Sequence, residues 1–173
     1  CKAQGLRPGE DIGVELRDYQ LQSIDDITTA AAANGHRRIL LQMNTGLGKT
    51  VVAAQIIKHS VFNGNKVLVL THRREILSQT VEKLEKFGVD AGIMLSGDPY
   101  DNTLPVIVAS IATMHSWVVR RKKERAPSAN LVIVDECHRL SGSKTWQDIL
   151  TLYSEAFILG LTATPMSKSG KGL

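Results

Sequence analysis

The chain has 173 residues, of which 43% are hydrophobic, and a formal net charge of +4. A chain of this length buries roughly 70% of its unfolded surface, which suits one core and hardly two, and no apolar run approaches the ~20 residues that span a bilayer. The first residues lack the apolar centre of a signal peptide, so we expect a cytoplasmic protein with no membrane partner. The basic balance mildly favours an anionic partner.

The two cysteines, Cys1 and Cys137, are too few for a disulfide framework and lack the spacing of a zinc site. We expect reduced thiols and no structural metal. The chain starts at Cys1 without a Met and stops at "SKSGKGL", so we expect it to be part of a longer protein.

Strand-like and helix-like segments alternate along the chain. A helix is predicted from Asp18 to Asn34, capped by Gly35, and is followed by the short apolar strand "RRILLQM". After a glycine turn come the helical pattern "TVVAAQIIKHSVF", the strand "KVLVLT", and the helical stripe "EILSQTVEKLEKFG", which ends at Gly88.

Four further apolar runs are predicted as strands: "AGIML", "LPVIVAS", "NLVIVDE" and "AFILGLTAT". A helix from Ile111 to Val119 is predicted between the second and the third of them. Continuous apolar strands are typical of a mostly parallel sheet with helices on both faces. We therefore predict one α/β domain over residues 1–165, followed by a loop or linker over residues 166–173.

The turn after the first strand has the composition of a phosphate cradle. In Gly46-Leu47-Gly48-Lys49-Thr50 the glycines let backbone N–H groups converge on a phosphate, Lys49 supplies a positive charge, and the Thr50 hydroxyl can bind Mg²⁺. The pattern departs from the strict motif, because Met43 occupies its first glycine position. The alternative is an ordinary glycine-rich turn between a strand and a helix.

An acidic pair, Asp135 and Glu136, follows the buried strand "LVIV". In a doubly wound fold this strand end lies beside the phosphate loop, where Asp135 would hold Mg²⁺ through its waters and Glu136 would polarise the attacking water. The alternative is an acidic helix cap.

Together these segments resemble the superfamily 2 helicases and translocases. "DECH" at residues 135–138 resembles their DExH motif II, "MNTGLGKT" their motif I, and "LTATP" at residues 161–165 their motif III. "LRDYQLQSI" is similar to the upstream adenine-reading segment, "VLVLTHRREIL" to motif Ia and "VIVASIATM" to motif Ib. The branch that includes the type III restriction subunits looks closest. The resemblance implies an N-terminal RecA-like P-loop motor domain that binds ATP and Mg²⁺.

The same resemblance assigns roles to individual positions. Gln20 would bond the adenine edge, with Tyr19 or Arg17 near the base. The residues implied to bind the phosphates are Thr45, Gly46, Gly48, Lys49 and Thr50. Lys49, Asp135, Glu136 and His138 are the implied catalytic residues, and Thr50 and Asp135 the implied metal ligands. His138, Thr162 and Thr164 would couple the nucleotide state to a second motor domain and to nucleic acid.

The nucleic-acid face is predicted from the same segments. Arg74, Ser110 and Thr113 would contact phosphates, with DNA favoured over RNA as the partner. The basic run Arg120–Arg125 is interpreted as a solvated loop rather than a binding surface. Trp117 and Trp146 are interpreted as core residues, although both could stack on bases, and Cys137 as a buried small residue rather than a reactive thiol.

Catalysis in this family needs a second RecA-like domain, whose arginines reach the γ-phosphate, and the chain stops before one. We therefore expect a domain that binds nucleotide and hydrolyses it slowly on its own. A P-loop GTPase or kinase would not account for "DECH" followed by "LTATP". A non-catalytic, ATP-gated nucleic-acid binding module is a further alternative, which the intact Lys49 and Glu136 make less favourable.

Overall fold

The computed structural model describes residues 16–33, 36–44, 46–95, 100–119, 126–140 and 143–163, with side chains at 33, 117–119, 139 and 140 left aside. The main elements are, in chain order, α1 Asp18–Ala33, β1 Arg38–Gln42, α2 Lys49–Phe62, β2 Val67–Thr71, α3 Leu77–Lys86, β3 Ala91–Met94, β4 Val106–Ser110, α4 Ile111–Thr113, β5 Leu131–Asp135, α5 Lys144–Leu152 and β6 Phe157–Thr162. Two 3₁₀-helices, Arg74–Ile76 and Cys137–Leu140, and a π-helix, Met114–Val119, complete the described part.

The six strands form one sheet in the order β1-β6-β5-β2-β4-β3, and all five pairs within it are parallel. The predicted mostly parallel sheet is therefore confirmed. The interior strands β2 and β4 are buried at every position, as their continuous apolar runs predict. The edge strand β1 instead alternates between exposed and half-buried residues.

Two apolar layers cover the sheet. Val67 and Val69 of β2 pack on one face with side chains of α1, α2 and α3. Leu68 and Leu70 point to the other face, where they pack with α4, α5 and the start of the π-helix. Successive residues of a strand point to opposite faces of the sheet. Strand β2 therefore packs against both layers, which fixes the position of its carboxyl end.

The segment Ile111–Val119 differs in detail from the single helix predicted there. Only Ile111–Thr113 is α-helical, and Met114–Val119 has the wider turns of a π-helix. Nine residues are too few for apolar periodicity to separate the two geometries. Elsewhere the predicted elements are found, and α3 ends at Lys86 just before Gly88, whose N–H donates to the Glu85 carbonyl at 2.8 Å.

Among the described residues, none of the helices has the length and apolar character that crossing a membrane requires. Gly35, the predicted cap of α1, and the predicted linker 166–173 lie outside the described residues.

Candidate nucleotide-binding site

The glycine turn between β1 and α2 has the backbone geometry of a phosphate cradle. Gly46 and Gly48 have φ values of 87° and 88°, in the left-handed region that favours glycine. Helix α2 begins directly after its N-cap residue Gly48, which has no side chain to cap the first turn. The first N–H groups of the helix therefore face the turn with the positive end of the helix dipole behind them, which suits an anionic ligand.

The segment before α1 closes on this turn. The Gln20 amide nitrogen donates to the Leu47 carbonyl at 3.1 Å, and its oxygen accepts from the Arg17 N–H at 3.0 Å. The Tyr19 hydroxyl also bonds the Leu47 carbonyl at 3.1 Å, and Arg17 Nη1 donates to that hydroxyl at 3.3 Å. Gln20 is buried, whereas Tyr19 is exposed beside it. The residues predicted to surround the base thus lie against the phosphate turn.

Lys49 is held at the cradle by the residue that departs from the strict motif. Its Nζ donates to the Met43 carbonyl at 3.2 Å. The Met43 side chain is buried in the apolar layer, and its N–H donates to the Thr162 carbonyl at 2.9 Å. Position 43 therefore contributes its backbone to the site and its side chain to the core, which explains why a residue other than glycine is accommodated there.

The acidic pair leaves β5 through an abrupt turn. Glu136 has a φ of 52°, and its N–H donates to Asp135 Oδ1 at 3.0 Å. A left-handed residue other than glycine stores backbone strain, a feature that clusters at functional sites. Burial raises the pKa of Asp135, with a further contribution from the Glu136 carboxylate; the hydrogen bond and the ammonium groups of Lys49 and Lys83 oppose the rise.

His138 connects the acidic pair to the end of β6. Its Nδ1 lies 2.9 Å from the Thr162 hydroxyl and 3.3 Å from a Glu136 carboxylate oxygen. Thr162 is completely buried. Two of the three residues predicted to couple the nucleotide state to other parts of the protein, His138 and Thr162, are thus in direct contact, and the prediction of their role stays open.

Cys137 lies under this turn as a core residue. It is buried beside Gly160 of β6, where an added Cβ would come within 2.9 Å of the thiol sulfur. Burial raises the pKa of the thiol to about 11, which keeps it protonated at neutral pH. The interpretation of Cys137 as a buried small residue is confirmed.

One cavity of about 400 Å³ joins the glycine turn to the acidic pair. From the turn and α2 it is lined by Gly46, Gly48, Lys49 and Thr50, and from the end of β5 by Asp135 and Glu136. In the strand order, β6 lies between β1 and β5. The cavity nevertheless brings the two motifs together at the carboxyl edge of the sheet, as expected of an open α/β fold.

Sequence reasoning missed the wall of the cavity opposite α2. Helix α3 and the turn before it contribute Ile76, Gln79, Thr80, Lys83 and Leu84. These positions recur at spacings of three and four residues, so they share one helical face. The spacing identified a buried stripe, but nothing in it indicated that part of the stripe faces an open cavity.

The three predicted nucleic-acid residues differ in exposure. Arg74 is exposed at the start of a short 3₁₀-helix. Ser110 and Thr113 are buried; the Ser110 hydroxyl donates to the Thr113 hydroxyl at 2.8 Å and accepts the Thr113 N–H at 3.1 Å. The Ser110 hydroxyl therefore caps α4 and also bonds the Thr113 hydroxyl, and Arg74 alone of the three presents its side chain to solvent.

Several predicted residues lie outside the described part: Thr45, Thr164 and the basic run Arg120–Arg125. The side chain of Trp117 is not described either. Trp146 packs against the apolar layer on the α5 side, which confirms its core interpretation. His115, to which the sequence assigned no role, pairs with Asp148 of α5 at 3.1 Å.

The donor set fits a magnesium nucleotide. Asp135 offers carboxylate oxygens, Thr50 offers an exposed hydroxyl in the first turn of α2, and both line the same cavity. Oxygen ligands of this kind suit Mg²⁺, which keeps several waters and binds through one or two protein groups together with phosphates. No nitrogen or sulfur ligand is needed.

Two relatives show how far the likeness extends. The chain is 38% identical over 161 residues to the type I restriction enzyme EcoAI endonuclease subunit of Escherichia coli, covering 88% of this chain and 20% of that protein. It is 30% identical over 159 residues to the DNA 3'-5' translocase XPB2 of Sulfurisphaera tokodaii, covering 91% and 33%. The chain therefore spans only a minor part of each relative.

Among solved structures, the UvsW helicase from bacteriophage T4 has the same fold, with a TM-score of 0.70 at 22% identity over 88% of this chain and 54% of that one. The RecA-like architecture predicted from the sequence is thus confirmed. The family model described as "Type III restriction enzyme, res subunit" matches residues 13–167, and the chain belongs to that family.

Proposed function

We propose that this chain is the ATP-binding first motor domain of a nucleic-acid helicase or translocase. The observation that carries the proposal is the cavity that joins the glycine turn and Lys49 to Asp135 and Glu136. A phosphate cradle alone is compatible with many nucleotide-binding proteins. A cradle facing a carboxylate pair, in a chain of this family, favours hydrolysis over binding alone.

Each residue has a separate task in this proposal. Lys49 exchanges its bond to the Met43 carbonyl for the β- and γ-phosphate oxygens. Thr50 and Asp135 hold Mg²⁺, which neutralises charge on the phosphates when bound. Glu136 aims the attacking water, and its left-handed backbone turns the side chain out of the strand direction. Gln20 and Tyr19 close the base end of the site, since both already contact the turn.

Nucleic acid is the proposed polymer partner, with DNA favoured over RNA. The relative named as a DNA translocase supports DNA. Arg74 is the proposed phosphate contact because it is exposed and forked in shape. Ser110 and Thr113 hold α4 in place through their mutual hydrogen bond. Any contact between this segment and nucleic acid therefore involves the surface around α4 that the two residues shape. The cytoplasmic location inferred from the sequence stays a prediction.

Titration calorimetry of the chain with Mg·ATP and Mg·ADP tests the nucleotide site. Lys49→Ala should weaken both affinities by tenfold or more, on the order of the 1.5–3 kcal/mol of a charge-assisted bond. Lys86→Ala is the control, because Lys86 is exposed on α3 and does not line the cavity. Unchanged affinity in Lys49→Ala would show that the cradle assignment is wrong.

A second substitution separates binding from chemistry. In a longer protein that contains both motor domains, Glu136→Gln should keep Mg·ATP affinity and lower hydrolysis by on the order of 10² or more. Normal hydrolysis by this variant would mean that another group aims the water.

The partner domain is also a proposal, supported by the small share of its relatives that the chain spans. Arginines from such a domain can contribute 10³ to 10⁵ in rate in related phosphoryl transfers, roughly. The 173-residue chain should therefore hydrolyse ATP slowly and respond little to nucleic acid. Brisk turnover by the chain alone, stimulated by DNA or RNA, would contradict the two-domain proposal.

A further inference from the structure

One cationic side chain in the cavity has no role in the site described so far. Lys83 lies on α3 and lines the cavity from the wall opposite α2. Its helix neighbours Gln79 and Thr80 line the same wall, so this face of α3 is turned toward the acidic pair. Lys86, nearer the end of α3, is exposed like Lys83 but does not line the cavity.

The Lys83 ammonium is available to a ligand. Among the described residues it makes no hydrogen bond or ion pair. Burial raises the pKa of Asp135, and the charge of Lys83 opposes that rise together with the charge of Lys49. Lys49 of α2 and Lys83 of α3 therefore both act electrostatically on the carboxylate that is proposed to hold the metal.

The charge balance of the cavity supports a role for the second lysine. The titratable side chains among its lining residues are two lysines and two carboxylates: Lys49, Lys83, Asp135 and Glu136. A terminal phosphoryl group adds negative charge to a nucleoside diphosphate. Lys49 belongs to the glycine turn at the start of α2, whereas Lys83 lies on α3. The second cation thus matches the extra charge that distinguishes a triphosphate from a diphosphate.

We propose that Lys83 is a specificity-determining residue that faces the terminal phosphate of a bound nucleoside triphosphate from α3 and makes the site favour triphosphate over diphosphate. The inference rests on the proposed function, because it needs the nucleotide to lie in this cavity. Lys83 acts through a long flexible side chain at an open wall, so its contribution is screened by salt and smaller than that of Lys49.

The test measures two affinities of the 173-residue chain, for a nonhydrolysable Mg·ATP analogue and for Mg·ADP, at low ionic strength. Lys83→Ala should weaken the triphosphate by about three- to tenfold and the diphosphate by less than about twofold. Lys83→Arg should restore most of the preference, and Lys86→Ala should change neither affinity. A thermal midpoint equal to that of the unchanged chain verifies that each variant is folded.

The outcomes distinguish this inference from the function on which it rests. Binding of both nucleotides by the unchanged chain, lost in Lys49→Ala, supports the nucleotide site whatever Lys83 does. If Lys83→Ala then weakens both nucleotides equally, or neither, Lys83 is not specificity-determining and the inference is overturned. If the unchanged chain binds no nucleotide, the proposed function and this inference fail together.

Discussion

His138 Nδ1 lies 2.9 Å from the Thr162 hydroxyl, a contact that joins the ends of the neighbouring strands β5 and β6. The same nitrogen lies 3.3 Å from Glu136, so the proposed water-aiming carboxylate is one side chain away from the end of β6. A change in the Glu136 environment on nucleotide binding can therefore reach β6 through two contacts.

Thr162→Val removes this link while keeping the shape of the side chain. We expect Mg·ATP affinity within about twofold of the original, a stability loss of about 1 kcal/mol, and a roughly tenfold lower nucleic-acid-stimulated turnover in the longer protein. Thr162→Ser keeps the hydroxyl and should retain most of the stimulation. An equal loss in both variants would assign the effect to packing of the buried methyl group.

Gly48→Ala should disrupt the cradle by two separate effects. A left-handed φ of 88° costs an alanine about 1–2 kcal/mol, and the added Cβ would overlap the Gln20 amide nitrogen. Gly46→Ala is the matched control, because its φ is 87° and an added Cβ meets nothing within 4 Å among the described residues. Urea unfolding should show the larger loss for Gly48→Ala; equal losses would mean that Gln20 moves aside freely.

Asp135→Asn should stabilise the nucleotide-free chain at neutral pH, by about 0.5–1 kcal/mol. In the folded chain the pKa of Asp135 is raised, chiefly by burial. Ionising this carboxyl therefore lowers the free energy of unfolding, and the loss appears as the pH rises through that pKa. Asparagine removes the charge and keeps the acceptor for the Glu136 N–H. The stabilisation should therefore disappear below about pH 4, where aspartate is largely protonated in both states.

The measurement for Asp135→Asn is the thermal midpoint from about pH 3 to 8. Asp25→Asn, at an exposed position on α1, should change unfolding by no more than about 0.5 kcal/mol at any of these values. An Asp135→Asn variant that is less stable than the original at pH 7 would contradict the assignment. Magnesium nucleotide binding should be weakened in the same variant, so stability and function respond in opposite directions.

Ser110→Ala should cost more stability than Ser143→Ala. Both serines accept an N–H at the start of a helix, Ser110 that of Thr113 and Ser143 that of Trp146. Loss of such a cap costs about 1 kcal/mol, and Ser110→Ala also leaves the buried Thr113 hydroxyl without its 2.8 Å partner, which adds about 1–2 kcal/mol. Urea unfolding of the two variants checks the difference; equal losses would mean that the Thr113 hydroxyl finds another partner.

The sheet could be predicted from the sequence because burial on both faces leaves a strong pattern. "VLVLT", "VIVAS" and "LVIVD" are buried at nearly all positions, and each is a strand of the structure. The glycine turn before the Lys-Thr pair was equally predictable, because glycine readily adopts the left-handed backbone that such a turn needs. These signals are local, and one segment suffices to recognise each.

The features that escaped prediction depend on contacts between distant segments. Lys83 resembles any exposed helix lysine until α3 is placed across the cavity from α2. The insertion of β6 between β1 and β5 is likewise a property of the whole sheet. The hydrogen bond between the buried Ser110 and Thr113 hydroxyls also escaped prediction, because short polar side chains serve equally well as ligand contacts and as helix caps. Their contact with nucleic acid stays a prediction.

The position of β1 at the sheet edge also bears on how the chain folds during synthesis. Among the described strands, β1 pairs only with β6, and partners such as Arg38 and Ile158 are 120 positions apart in the chain. The strand that leads into the glycine turn therefore has no sheet neighbour until the last described strand has left the ribosome. Such a distant pairing is slow to form. The glycine turn proposed as the phosphate cradle should thus fold last, after β2, β4 and β5 have formed the centre of the sheet.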